Sequence, residues 1–241
     1  MGYSELMEAV RIRRSRFFFD PERPVTEAQV RAIMEIARWA PSAGNGQPWE
    51  VIAVTDPDKR RAIYDLYVQQ RKHLDEMEEK IWGPRPGGGA AESGKLKDAP
   101  LILLITGDPR IDRCYPVRTR LEKSESHLIT GLAHFTLLIH LAAASMGLGS
   151  HWLSDCSSPY YSVMLKSLLG IPEHLHIYEM APIGYPIKEP TVKLRREVEE
   201  FLHWEGYDQG KARGEDELNE FLWQQTRLGS RKKPTSNPER V

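Results

Sequence analysis

The amino-acid sequence predicts an α+β fold in which a mixed sheet is sandwiched between helices. Three runs have the β-branched, aromatic or continuously apolar character of strands: WEVIAVT at 49–55, LILLIT at 101–106 and HIYEMAPIGYP at 176–186. Segments with helical spacing of apolar residues separate them, and no tandem strand–helix–strand repeat is present. This interleaving favours the α+β class, and LILLIT predicts a strand that is buried on both faces.

Helices are predicted where apolar residues recur at intervals of three and four. The clearest spans 26–39, where Thr26 suits the N-cap and Pro41 ends the helix. Further helices are predicted at 3–14, 58–80, 160–169, 194–204 and within 215–228. The Gly- and Pro-rich stretch 82–100 is predicted to lack regular structure and to form a lid or a disordered loop.

One long stretch, 126–154, contains no Asp, Glu, Lys or Arg. It is long enough to span a bilayer, but His127, His134 and His140 interrupt its apolar character. A helix that is apolar on nearly all sides is also typical of a large core or a dimer interface. We interpret it as a long central interface helix, with a membrane span as the alternative.

Composition narrows the class of protein. The 241 residues carry 33 Lys and Arg against 34 Asp and Glu, with 40% hydrophobic residues. This balance argues against a nucleic-acid partner, because neutralising many phosphates requires a surplus of positive charge. Two cysteines are too few for a disulfide framework, and the N-terminus lacks an apolar signal core. A soluble, cytoplasmic protein without a membrane partner is expected.

The predicted organisation is one large domain, 1–205, followed by a C-terminal extension, 206–241. The extension is expected to contain a helix and a frayed tail that includes SRKKPTSNPERV. It is predicted to pack on the domain or on a partner subunit.

Three motifs have residue types suited to ligand binding. PSAGNGQPW at 41–49 offers amide side chains that suit the edge of a heterocycle, although an ordinary Asx-type turn has the same composition. RIRRSR at 11–16 suits a phosphate, or is a solvated basic end of a helix. VKLRRE at 192–197 suits an anionic ligand, or is a surface charge run.

Together these motifs resemble the nitroreductase-like flavoproteins. RRS followed by aromatics, PSAGNGQPWEVI, the strand after KDAP, AAASMGLGSHW, the IGYP turn and LRREVEEFLHW occur in the order typical of that family. The resemblance covers roughly 5–204, and PSxxNxQPW is its most specific part. It implies an FMN-dependent oxidoreductase that uses NADH or NADPH, with two active sites at a homodimer interface.

The resemblance also implies roles for particular residues. It implies that the flavin phosphate is bound by Arg13, Arg14 and Ser15 and, after the IGYP turn, by Lys193 and Arg195. It implies that the flavin ring is contacted by Pro41, Ser42, Asn45 and Gln47, which in the family often come from the partner subunit. The segment that includes Leu153, Ser154 and Ser157 is also expected to lie against the ring. Substrate contacts are expected from the 82–97 loop at Trp82, Arg85, Lys95 and Lys97.

The sequence departs from the family pattern in three places. Phe17 stands where many members have a basic residue, although Arg16 could compensate. Leu137 and Leu138 replace a Gln-Asn pair in the central helix. SDCSSPYY replaces a small Gly-rich turn and resembles the flavin-dependent dehalogenase branch, in which a hydroxyl donates to flavin N5; Ser157 or Ser158 is the candidate.

The expected reaction is hydride transfer from the nicotinamide to flavin N5, followed by ping-pong reduction of a small aromatic acceptor such as a nitroaromatic or a quinone. Reductive dehalogenation of a phenolic substrate is the alternative, although the Glu-x-x-x-Tyr clamp of that branch is absent from 57–97. A flavin-binding protein without turnover is a third possibility. No metal is expected, because His151 and Cys156 lack a second pair of ligands.

Overall fold

The computed structural model describes residues 2–82, 94–190 and 194–226. The chain divides into two compact units, one formed by 1–74 and 90–190 and the other by 75–89 and 191–241. The helices are α1 (Tyr3–Ile12), α2 (Glu27–Ala37), α3 (Pro57–Trp82), α4 (Gly94–Lys97), α5 (Val117–Ser145), α6 (Pro159–Leu169) and α7 (Glu215–Thr226). The strands are β1 (Trp49–Val54), β2 (Leu101–Gly107), β3 (Gly149–Ser150) and β4 (His176–Gly184).

The strands form one sheet with the order β1-β2-β4-β3, and every adjacent pair is antiparallel. The register aligns Ile52 with Leu104 and Leu103 with Ala181. Parallel pairing occurs in one isolated bridge, between Ser15 and Ser150. The α+β class is therefore confirmed, and the mixed character of the sheet is confined to that bridge among the described residues.

Helices cover both faces of the sheet, as predicted. Leu101, Leu103 and Ile105 of β2 belong to the first of two cores, which also includes residues of α2 and α5. Ile102 and Leu104 point to the other face, into the second core, which also includes residues of α3 and α6. Because successive side chains of a strand alternate between faces, a continuously apolar strand supplies both cores. This confirms that β2 is buried on both faces.

The central helix α5 begins at Val117, before the charge-free stretch from which it was predicted. In the described part of the chain, its segment Glu125–Ser145 passes the length and hydropathy test for a membrane span, with mean hydropathy 1.6. Phe135, Ile139 and Ala143 of this segment are buried in the first core. A core helix passes the same test, so the hydropathy gives no evidence of membrane insertion.

Two local predictions were wrong. The predicted helix 194–204 contains only a 3-10 turn, Val198–Glu200. A short helix is stable mainly when it buries an apolar face, and Leu194, Val198 and Phe201 are all at least half exposed. In the stretch predicted to lack regular structure, Gly94–Lys97 form α4, because Leu96 is buried in the second core. Residues 83–93 lie outside the described part of the chain.

The second unit is described from its own residues. Its helix α7 lies within the predicted range 215–228. The 3-10 turn at Val198–Glu200 is closed by the Glu200 carboxylate, which accepts from the Glu197 amide at 3.1 Å. The predicted boundary between 205 and 206 stays a prediction.

Candidate functional site

A cavity of about 260 Å³ lies in the first unit and is the candidate functional site. It opens beside the end of α1, the middle of α5, the short strand β3 and one face of β4. Its lining comprises Arg13, Ser15, Ala133, Thr136, Leu137, His140, Ser150, Trp152, Tyr178 and Glu179. One part of the wall is apolar and another carries cationic, hydroxyl and carboxylate groups, which is typical of a site for a small molecule with distinct apolar and anionic parts.

The segment after α1 is held in the cavity wall by β3. Ser15 bridges Ser150, and the amide of Arg16 donates to the Ser150 carbonyl at 2.9 Å. A Cβ atom at Gly149 would lie 2.7 Å from the Cβ of Arg16, closer than such atoms come in real proteins. Glycine at 149 therefore allows the RRSR segment (residues 13–16) to lie against the strand, and this places Arg13 and Ser15 in the wall.

The predicted phosphate residues are partly brought together. Arg13 and Ser15 both line the cavity. The guanidinium of Arg14 donates to the carbonyls of Val10 and Arg13, at 3.3 and 2.8 Å. Arg16, the possible replacement for the missing cation, donates instead to the Lys188 carbonyl at 2.9 Å and pairs with Glu189 at 3.3 Å. Arg13 and Ser15 are thus the predicted anion-binding groups that this cavity contains.

The cavity contains a buried polar cluster that was missed from the sequence. Nδ1 of His140 lies 2.8 Å from Oγ of Ser150, and Nε2 lies 2.9 Å from Oε1 of Glu179. Glu179 is only 3% exposed, and burial raises its pKa, although the hydrogen bond with His140 acts in the opposite direction. The available signal was the single carboxylate in the apolar strand HIYEMAPIG, because a buried carboxylate requires a partner.

Thr136 provides an unsatisfied polar atom in the same wall. Its side chain is 3% exposed, and its Oγ1 has no hydrogen-bond partner within the described structure. Leaving a buried hydroxyl unpaired costs about 1–3 kcal/mol. A ligand that offers a polar atom at this point of the cavity would remove that cost.

These residues fit part of a flavin nucleotide. The guanidinium of Arg13 and the hydroxyl of Ser15 suit a phosphate. Ala133, Leu137 and Trp152 provide an apolar wall, and Thr136 provides the unsatisfied hydroxyl. Small-molecule sites usually enclose about 300–1,000 Å³, so this cavity would hold only part of a flavin nucleotide.

The loop from Pro41 to Gln47 is ordered by its own hydrogen bonds. Ser42 accepts from the Gln47 amide through Oγ and from the Asn45 amide through its carbonyl, at 3.0 and 2.9 Å. Gly44, Asn45 and Gln47 have left-handed φ values of 57, 53 and 47°. Tyr115 donates to the Ala43 carbonyl at 3.0 Å. The described lining of the cavity does not include Pro41, Ser42, Asn45 or Gln47.

The turn after β3 places its predicted residues differently. Leu153 is buried and pairs with Met180 through two backbone hydrogen bonds of 3.0 and 3.1 Å. Ser154 is exposed, and its carbonyl accepts from Oγ of Ser157 at 2.9 Å. The only hydroxyl hydrogen of Ser157 is therefore already used. Oγ of Ser158 accepts a hydrogen bond from Nε2 of the Gln70 side chain. The hydroxyl hydrogen of Ser158 can therefore be donated to another acceptor.

Of the remaining candidates, the structure describes the side chains of Arg195 and Lys97. Arg195 lies in the second unit, where it is exposed and its Nη1 donates to the Leu194 carbonyl at 2.9 Å. Lys97 is exposed at the end of α4. Lys193 and Arg85 lie outside the described residues, as do the side chains of Trp82 and Lys95. Among the described residues, no cluster of His, Cys, Asp and Glu could hold a metal ion.

Comparison with known proteins identifies the fold and the family. The NADPH:FMN oxidoreductase of Vibrio harveyi, solved in complex with NAD⁺, has the same fold, with a TM-score of 0.63 at 19% identity over 89% of this chain and 82% of that one. A protein of Archaeoglobus fulgidus with the provisional name NADH dehydrogenase/NAD(P)H nitroreductase is 29% identical over 77% of this chain and 87% of its own length. Human iodotyrosine deiodinase 1 is 26% identical over 78% of this chain and 63% of that protein.

The family model of the nitroreductases extends over nearly all of the first unit. It matches residues 10–185, a range that begins before the RRSR segment and ends just after β4. All ten residues that line the cavity fall inside this match. The chain belongs to the nitroreductase family.

Proposed function

We propose that this protein takes hydride from NADH or NADPH onto bound FMN and then reduces an aromatic acceptor of the nitroaromatic or quinone class. Its family makes the chain an oxidoreductase enzyme that uses a flavin and a nicotinamide cofactor. The choice of FMN and of the acceptor is our inference. The observation that carries it is the cavity in which Arg13 and Ser15 face the apolar side chains of α5.

The chain's own residues would bind and orient the cofactor. Arg13 and Ser15 would hold the phosphate through charge-assisted hydrogen bonds, which are stronger than neutral ones. Ala133, Leu137 and Trp152 would exclude water from that part of the site, and electrostatic interactions are stronger where water is absent. Bound flavin would supply the hydride chemistry, accepting from one substrate and donating to the next. No side chain is required as a nucleophile.

We further propose that two copies of the chain complete each site. The loop 41–47 is held by hydrogen bonds but does not line its own chain's cavity, which fits a role at the flavin ring of a partner subunit. Lys193 and Arg195 would add positive charge at the phosphate. Trp82, Arg85, Lys95 and Lys97 would contact the acceptor. Leu153, Ser154 and Ser157 would lie along the flavin ring, and Arg14 would add to the positive field beside Arg13.

The phosphate site can be tested by a double substitution. Arg13→Ala with Arg195→Ala should weaken FMN binding at least a hundredfold, because each lost charge-assisted hydrogen bond costs about 1.5–3 kcal/mol. Fluorescence titration of flavin-free protein measures the affinity. Arg31→Ala with Arg38→Ala, which alters exposed arginines of α2 and its C-cap, is the matched control. A double variant that keeps the wild-type affinity would place the phosphate elsewhere.

Turnover is tested separately from binding. The FMN-loaded protein should oxidise NADH or NADPH when a nitroaromatic or a quinone is added, with the parallel double-reciprocal lines of ping-pong kinetics. Flavin binding without such turnover would instead support a flavin-binding protein that does not catalyse.

Reductive dehalogenation of a phenolic substrate is the second candidate function. The similarity to iodotyrosine deiodinase 1 and the free hydroxyl hydrogen of Ser158 favour it. Its test is release of halide from a halogenated phenol by the chemically reduced protein. The Ser158→Ala variant should then lose halide release while it retains nitroaromatic reduction, and equal loss of both activities would contradict this role of Ser158.

A further inference from the structure

A continuous chain of hydrogen bonds runs from the buried carboxylate of Glu179 to the cavity. Glu179 accepts from or donates to Nε2 of His140 at 2.9 Å, and Nδ1 of His140 meets Oγ of Ser150 at 2.8 Å. All three side chains line the cavity. Ser150 stands directly beside Ser15, through the backbone bridge that joins their segments.

The number of protons on this chain determines which way the Ser150 hydroxyl points. If Glu179 is ionised and His140 is neutral, Nε2–H donates to the carboxylate and Nδ1 accepts the hydrogen of Ser150. The oxygen of Ser150 then faces the cavity only as an acceptor. If the His140–Glu179 pair holds one more proton, Nδ1 carries hydrogen and donates to Ser150. The hydroxyl hydrogen is then released toward the cavity.

We propose that Ser150, His140 and Glu179 form a proton-controlled hydrogen-bond donor for the flavin site. Uptake of one proton by the His140–Glu179 pair turns the Ser150 hydroxyl toward the cavity, where it donates to an acceptor atom of bound flavin. The inference rests on the proposed function, because it takes the occupant of the cavity to be a flavin. Ser150 is the binding residue, and His140 and Glu179 are positioning residues that act through it.

The groups around the His140–Glu179 pair keep fixed protonation states across neutral pH. Arg13, from the segment after α1, faces the cavity with a permanent positive charge. Tyr178 of β4 and Cys156 of the turn after β3 stay neutral, because burial raises the pKa of both groups. Burial also raises the pKa of Glu179, which favours retention of the additional proton. A bound acceptor near Arg13 and Ser150 would favour it further.

The first measurement needs no substitution. Nitrogen-15 spectra of histidine in the flavin-free full-length protein, recorded across neutral pH, report whether Nδ1 of His140 is protonated. Nδ1 should change from an acceptor to a donor as pH falls, and addition of FMN should shift this change to higher pH. An Nδ1 that stays in one state with and without FMN would overturn the proposal.

The second measurement counts the protons taken up when flavin binds. Calorimetric titration in two buffers of different ionisation enthalpy gives this number for the wild type, Ser150→Ala, Glu179→Gln and the control Ser145→Ala. Ser145 lies at the end of α5 and donates to the Ala142 carbonyl at 2.8 Å. Ser150→Ala and Glu179→Gln should take up fewer protons than the wild type, and Ser145→Ala should match it. Repeating the titrations with riboflavin removes the contribution from ionisation of the flavin phosphate.

Ser150→Ala should also weaken FMN binding about tenfold, the effect of one lost hydrogen bond. Titration with riboflavin, which lacks the phosphate, separates the two possible acceptors. A difference that persists with riboflavin places the acceptor on the ring or the ribityl chain, and one that vanishes places it on the phosphate.

Two failures are distinguishable. If the wild type binds no flavin, the proposed function fails, whatever the state of His140. If FMN binds normally but Ser150→Ala and Glu179→Gln take up as many protons as the wild type, the proposed function stands and the proton-controlled donor is wrong. Folded variants are recognised by a circular dichroism spectrum that matches the wild type.

Discussion

At the scale of single residues, the cavity contains two groups suited to an anion, Arg13 and Ser15, and the hydrogen-bonded pair of His140 and Glu179. Arg13 and Ser15 were predicted to bind an anion because guanidinium and hydroxyl groups adjoin in RRSR, and both line the cavity. His140 and Glu179 were missed because they are 39 positions apart, and only the pairing of α5 with β4 brings them to 2.9 Å. Ser157 illustrates a further limit, since the hydrogen bond that occupies its hydroxyl depends on the turn geometry.

The buried carboxylate of Glu179 should make stability depend on pH. Burial raises its pKa, so the folded state holds a proton at pH values where the unfolded chain has lost it. The free energy of unfolding of the wild type should therefore fall as pH rises from the ordinary value of about 4.5 toward the raised pKa. Glu179→Gln removes this titration, so its stability relative to the wild type should increase across the same window. Urea denaturation at a series of pH values measures the difference.

Glu173→Gln is the matched control for this measurement, because the Glu173 side chain is 90% exposed. Its stability curve should run parallel to that of the wild type. A Glu179→Gln curve that is also parallel would mean that the carboxylate has the same affinity for protons in the folded and unfolded chains.

At the scale of elements, strands and helices were predictable where burial alone determines them. LILLIT was predicted correctly as a strand, β2, because a continuously apolar run can place apolar side chains in a core on each face of the sheet. The helix predicted at 194–204 is absent because its apolar residues are exposed, and an amphipathic segment that buries no apolar face is not stabilised as a helix. The antiparallel pairing and the order β1-β2-β4-β3 depend on contacts distant in sequence and were not predicted.

The contact of β3 with the RRSR segment yields an element-scale prediction. Gly149→Ala places a Cβ atom 2.7 Å from Cβ and Cγ of Arg16, whose amide is fixed to the Ser150 carbonyl. The segment must move away from β3, and this shifts Ser15 and Arg13 out of the cavity wall. Overpacking of this kind costs about 1–3 kcal/mol. We expect a lower melting temperature and at least tenfold weaker FMN binding.

Gly206→Ala is the comparison variant, because a Cβ atom there would meet nothing within 4 Å. It should leave both the melting temperature and the FMN affinity unchanged. Wild-type flavin affinity in Gly149→Ala would show that the RRSR segment does not depend on β3 for its position.

At the scale of the whole molecule, exposed apolar side chains of the first unit support assembly of two copies. Leu6 and Val10 of α1 and Leu121, Ile129 and Leu137 of α5 are all more than 40% exposed. An interface between two copies would remove these apolar side chains from water, which is favourable. The loop 41–47, which does not line its own cavity, gives the second reason to expect a partner copy.

The homodimer is tested by mass and flavin affinity together. Light scattering should give a mass near twice the chain mass of 27.6 kDa. Leu121→Glu with Ile129→Glu places charges on α5 and should yield monomers, because burying unpaired carboxylates in an interface is strongly unfavourable. If loop 41–47 serves the flavin of the partner subunit, these monomers should also bind FMN at least tenfold more weakly. Val163→Glu, at a position on α6 that is 59% exposed, should remain dimeric with full affinity.

A wild-type monomer that binds FMN tightly would mean that one chain holds the whole flavin. The cavity of about 260 Å³ would then have to enlarge when the flavin binds.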